Sequence, residues 1–135
     1  MRFAFVGAVA AAVLVACGAG SAQTTSTALT IAYWENGTGS GEPERWTLRC
    51  NPARGTLARP AVACRRLATA GARLFTPVPS NAICTQIYGG PQVARVTGSV
   101  KGKRVWATFS RQDGCNISRW NGVSPWLLPR GGVTR

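Results

Sequence analysis

Apolar and polar positions alternate over several short stretches of the chain. Leu29, Ile31 and Tyr33 interleave with Thr30, Ala32 and Trp34, and Trp46, Leu48 and Cys50 with Arg45, Thr47 and Arg49. Period-two alternation of this kind predicts strands with one buried face. The same pattern runs over Gln92 to Val100 and returns over Arg104 to Ser110, with Val105, Ala107 and Phe109 on one side. Between these two, Val100-Lys101-Gly102-Lys103 predicts a tight hairpin. Asn36 to Pro43 and Asn51-Pro52 carry loop and turn residues. Leu74 to Ala82, with Pro77 and Pro79, predicts irregular chain.

A helical period replaces alternation over Arg59 to Gly71. Pro60 suits the first turn, Val62, Ala63, Leu67 and Ala70 recur on one face, and Gly71 suits the end. Cys115 to Trp120 predicts a short second helix, and Trp126-Leu127-Leu128 a last edge strand. The sum is an α+β fold: an antiparallel sheet of about five strands with two helices packed on one face.

The first residues differ in kind. A minimal basic start is followed by the uncharged run Ala4 to Ala16 and the small residues Gly18 to Ala22. This layout predicts a signal peptide, residues 1–22, and the run is too short to span a membrane as a helix. A single domain then covers 23–135, with secretion as the expected destination. A second reading stays open. Leu14-Val15-Ala16-Cys17 resembles a bacterial lipobox, in which Cys17 is lipidated and anchors the protein to the membrane.

Cys50, Cys64, Cys84 and Cys115 remain, an even number that predicts two disulfides in an exported chain. Three connectivities are open, and the sequential one closes the shortest loops. Without a C-x-x-C spacing or any histidine, no metal site is expected, nor any cofactor. Lacking histidine, the chain also cannot build a Ser-His-Asp or Cys-His pair. Its four acids are Glu35, Glu42, Glu44 and Asp113, three of them in one Gly-rich stretch. The composition argues against an enzyme.

Sixteen Lys and Arg against those four acids give a net charge of +12. Only Arg2 lies in the signal segment, so the excess stays with the domain. It raises the prospect of a polyanion partner. The arginines are scattered, however, and the five tryptophans suit core and interface roles better than base stacking. No nucleic-acid partner is expected.

Ala82 to Pro91 reads Ala-Ile-Cys-Thr-Gln-Ile-Tyr-Gly-Gly-Pro. Composition alone makes it an ordinary strand. Yet Cys50-x-Pro52, Gly55, Ala63-Cys64 and Leu67, then Cys84-Thr85-Gln86-Ile87-Tyr88, then Gly98, Gly102, Phe109-Ser110 and Cys115, together resemble the Streptomyces subtilisin inhibitor family of secreted proteins. The resemblance implies disulfides Cys50–Cys64 and Cys84–Cys115. It implies inhibition of a serine protease of subtilisin or trypsin type by a substrate-like loop whose reactive bond is Gln86–Ile87. Ile83, Cys84, Thr85 and Tyr88 would contact the protease around that bond. Gln86 stands where family members often carry Met, Leu, Lys or Arg. The resemblance further implies a homodimer packed through its sheets. The competing reading is a non-inhibitory basic module of the same fold, binding an anionic polymer or an acidic partner at the cell surface.

Overall fold

The computed structural model describes Gly18 and residues 26–132. The signal segment and Cys17 lie outside the described residues. Four strands form one antiparallel sheet: β1 (Ala28–Trp34), β2 (Glu44–Arg49), β3 (Val93–Val100) and β4 (Lys103–Ser110), in the order β2-β1-β3-β4. β1 sits inside the sheet. Its Ile31 faces Trp46 on one side and Val96 on the other, and Val96 faces Ala107 on β4. A register slip of one residue would send these side chains to solvent, so the alternation fixes the pairing. Lys101 and Gly102, both with positive φ, make the two-residue turn between β3 and β4, which suits a hairpin whose strands twist right-handedly.

Helix α1 (Pro60–Ala70) begins with its proline in the first turn and passes at Gly71 into a 3-10 helix, Gly71–Phe75. Helix α2 spans Gly114–Val123. Both helices serve the same core. Leu29, Ile31, Leu48, Val96, Val100 and Phe109 from the sheet meet Ala63 and Leu67 of α1 and Trp120 and Val123 of α2. Burying each larger apolar side chain here contributes about 1.5–3 kcal/mol. Among the described residues, no helix covers the opposite face of the sheet.

The α+β architecture is that expected, but the sheet has four strands. Trp126, Leu127 and Leu128 are buried without being a strand. The N–H groups of Leu127 and Leu128 both donate to the carbonyl of Val123, at 2.9 and 3.2 Å, folding the apolar run into a turn after α2. Pro125 and Pro129 flank the run and lack the N–H a ladder needs. Ala82 to Gly90 likewise joins no strand. Two smaller differences concern helices. Gly71 ends α1 but not helical structure, because Phe75 is drawn into the core against Phe109. α2 runs to Val123, three residues past the expected end, because Val123 joins Trp120 in the core.

Candidate functional site

The segment from Ala82 to Gly90 leaves the Pro-rich stretch and enters β3 as a loop on the surface. Its anchors come from the short connection between β4 and α2 and from the first turn of α2. On the leading side Cys84 is joined to Cys115, with Cα atoms 5.3 Å apart. Next to it the N–H of Gly114 donates to the carbonyl of Thr85 at 2.9 Å. On the trailing side the N–H of Gly89 donates to the carbonyl of Arg111 at 2.7 Å. Arg111 returns the bond, its Nε donating to the carbonyl of Gly89 at 3.2 Å. Between these points, no hydrogen bond to a described residue engages Gln86, Ile87 or Tyr88.

The anchors are themselves held. Asp113 caps α2: Oδ1 accepts the N–H of Asn116 and Oδ2 accepts its Nδ2, each at 2.9 Å. These bonds to the charged form hold the Asp113 carboxyl below its ordinary pKa. Cys115, one residue into the capped turn, is thereby fixed in position. The second disulfide, Cys50–Cys64, ties the end of β2 to α1, away from this loop.

Arg111 is buried, with 8% exposure. Its guanidinium carbon lies 5.9 Å from the ring centre of Trp120, and Nη1 donates to Asn121 Oδ1 at 3.5 Å. Nothing in the scattered arginines of the sequence singles this one out as buried by composition. The signal was available: 111 continues the inward series of Val105, Ala107 and Phe109. The two glycines of the loop are also explained. A side chain at Gly89 would press on Ile117 at 2.8 Å, and Gly90, at φ 134°, packs against the Gln92 amide. Their flexibility is spent on close approach to neighbours.

Exposure sets the loop apart. Among the described residues the exposed large apolar side chains are Ile83, Ile87, Tyr88 and Trp106, and three of the four are on this loop. Ile87 is 62% and Tyr88 64% exposed, with Gln86 exposed beside them. Leaving apolar groups in water on a restrained segment marks a contact surface. The Sγ atoms of Cys84 and Cys115 and the Asp113 carboxylate lie within 4.8 Å of one another. The sulfurs are bonded to each other, so neither is the thiolate a metal would take. The side chains at the tip are an amide, an alkyl group and a phenol.

Arg111→Met is expected to loosen the trailing side. It removes a charged donor from the Gly89 carbonyl and leaves Asn121 without its partner. Bonds of this type contribute about 1.5–3 kcal/mol, a loss readable as a fall in thermal midpoint. Amide exchange at Gly89 should accelerate more than at core positions of β3. An unchanged Gly89 rate would show that the clamp does not restrain the loop.

Residues 23–112 match the profile described as subtilisin inhibitor-like. No curated protein matches the chain at a significant level. The matched stretch takes in all four strands, α1, the Cys50–Cys64 disulfide and the whole exposed loop, and stops within the β4–α2 connection. It covers well over half of the sequence, and the chain belongs to the subtilisin inhibitor-like family.

Proposed function

We propose that the protein is an exported serine-protease inhibitor that offers Gln86–Ile87 to a protease of subtilisin or trypsin type as a scissile bond. The observation that carries this reading is a loop with three exposed apolar side chains, restrained on both sides of that bond. Gln86 enters the primary specificity pocket. Ile83, Cys84 and Thr85 lie in the subsites before it, Ile87 and Tyr88 in those after it. The free main chain of Gln86 to Tyr88 pairs edge-on with protease strands. A linear peptide loses its chain freedom on binding. Here the Cys84–Cys115 bond and the Arg111 clamp have already removed it, so more of the contact energy becomes affinity.

The same anchors act after cleavage. The new carboxyl end at Gln86 stays tied through Thr85 and Cys84. The new amine at Ile87 stays tied through Gly89 two residues on. Resealing then competes with release. No catalytic group of the inhibitor is needed, in keeping with the family's role.

The test is titration of purified residues 23–135 against a panel of subtilisin-like and trypsin-like proteases. Stoichiometric inhibition is expected, with any slow cleavage giving a new N-terminus at Ile87. Rapid digestion across the panel with no detectable complex would overturn the reading. Export leaves Gln23 as the N-terminus, whereas the alternative of membrane anchoring leaves a lipidated Cys17. Mass spectrometry of the native protein separates the two.

Homodimerisation through the sheets belongs to the same reading, and charge governs it. The uncovered face carries Arg45, Arg49, Arg95 and Arg104, and stacking two copies brings these sets together. The repulsion is screened as the Debye length falls from about 10 Å at 0.1 M salt to about 3 Å at 1 M. Sedimentation should therefore show the dimer fraction rising with ionic strength. A fraction that falls with salt would assign any dimer to another surface.

A further inference from the structure

Beyond α2 the chain returns to the trailing side of the loop. The carbonyl of Pro129 accepts Nε1 of Trp120 at 2.9 Å and Oγ of Ser124 at 3.1 Å. Three residues on, the carbonyl of Gly132 accepts Nε2 of Gln92 at 2.9 Å. Between these two fixed points Gly131 lies against the Arg111 guanidinium. A side chain at 131 would collide with Cζ, Nε and Nη1 of that group. The φ of Gly131 is outside the left-handed region, so close approach, rather than backbone conformation, calls for glycine here.

Two contacts with the loop depend on this segment. The first is the bond from Arg111 Nε to the Gly89 carbonyl. A hydrogen bond is electrostatically stronger where water is excluded, and Gly131 is one of the groups that cover the guanidinium. The second is Gln92. Its side chain is buried, and its Oε1 has no hydrogen-bond partner among the described residues. The bond to Gly132 is the one its amide makes to a described residue. Without it the amide would be buried and wholly unpaired, a state that folded proteins avoid, and it would have to turn. That amide packs against Gly90, the neighbour of Gly89 in the chain. The C-terminal segment therefore bears on Gly89 from two directions.

We propose that Pro129–Gly132 is a strap that holds Arg111 and Gln92 against the loop, and that Gly131 is a positioning residue for the reactive bond. The inference rests on the reading of Gln86–Ile87 as that bond. After cleavage the fragment that begins at Ile87 is retained through Gly89, and Gly89 through Arg111. A slack strap lets the new amine leave before the bond is resealed, so the C-terminal segment sets how long the inhibitor survives its protease. The stretch that matches the family ends at residue 112, so the strap lies beyond it.

The test sets Gly131→Ala beside Gly132→Ala in residues 23–135. A methyl group at 131 meets the guanidinium, whereas one at 132 meets nothing within 4 Å. A third variant ends at Arg130 and so keeps the two bonds to Pro129. In the free protein, amide exchange at Gly89 relative to Val96 of β3 should accelerate about tenfold or more in Gly131→Ala and in the shortened chain, the lower end for loss of a charge-assisted hydrogen bond. Gly132→Ala should exchange like the unaltered protein. With a protease that the unaltered protein inhibits, the ratio of cleaved to intact inhibitor at equilibrium should rise by a similar factor, while the association rate stays the same. Equal acceleration at Gly89 and Val96 would make 131 a position of general stability and overturn the proposal. So would an unchanged Gly89 rate, or a Gly132→Ala effect as large as that of Gly131→Ala. Faster exchange with an unchanged cleaved ratio would overturn the role in resealing. Should the unaltered protein inhibit no protease, the reading of Gln86–Ile87 falls, and exchange at Gly89 still decides whether the strap exists.

Discussion

Cys84→Ala with Cys115→Ala is expected to turn the inhibitor into a substrate. The disulfide closes a loop of 31 residues, and the chain-entropy relation assigns it roughly 3.5–4 kcal/mol. Net stabilities of small domains are about 5–15 kcal/mol, so the thermal midpoint should drop by about 15–30 °C at the usual 4–8 °C per kcal/mol. The functional loss should exceed what instability alone produces. Without the bond, the leading side of the loop keeps, among the described residues, the Gly114–Thr85 hydrogen bond as its tie to α2. The chain then loses freedom on binding as any peptide does, and the cleaved ends separate before resealing. Below the midpoint the variant should be cleaved at Gln86–Ile87 with multiple turnover instead of forming a lasting complex. The comparison that isolates the loop is Cys50→Ala with Cys64→Ala. That bond closes 14 residues between β2 and α1 and contributes about 3 kcal/mol in the same treatment. Its removal should lower the midpoint nearly as far while leaving inhibition intact at 25 °C. If both pairs abolish inhibition alike, rigidity of the loop is not what separates inhibitor from substrate.

Much of this arrangement is legible in the sequence, and the rest is hidden for identifiable reasons. Alternation at Leu29–Tyr33 and Val105–Phe109 reports burial on one side of a sheet, and those residues do form the core. Trp126 to Leu128 reports burial equally well, but three apolar residues have no period, so strand and buried turn read alike. The loop was harder. Ile83, Ile87 and Tyr88 are the residues a strand would use, and only their exposure marks them as a surface for a partner. Exposure is decided by what surrounds a residue, and here the surroundings are Arg111 to Cys115, more than twenty residues away in the chain. Arg111 shows the opposite case. Its place in the alternation pointed inward, yet an arginine is rarely buried without a partner. The partner, the Gly89 carbonyl, emerges only in three dimensions.

The identity of the side chain at the loop tip should decide which protease is met. Gln86 is exposed and makes no hydrogen bond to a described residue, so replacing it should leave stability within about 0.5 kcal/mol, as at other unconstrained surface positions. Its effect on binding is expected to be large, because the primary pocket is the most enclosed part of such a contact. Against a trypsin-like protease, whose pocket ends in a carboxylate, Gln86→Lys supplies the missing charge. Removing one member of such a desolvated pair costs about 2–5 kcal/mol, and adding it should strengthen inhibition by about two to three orders of magnitude. Against a protease with an apolar pocket the same lysine must bury an unpaired ammonium, and inhibition should weaken. Gln86→Met should act in the reverse sense, gaining on the apolar pocket and gaining nothing on the acidic one. Inhibition constants for the three proteins against the two protease types give a crossing pattern if Gln86 fills the pocket. Parallel changes, or none, would move the reactive bond elsewhere on the loop. Ile83, fully exposed on the leading side, would then be the next position to vary.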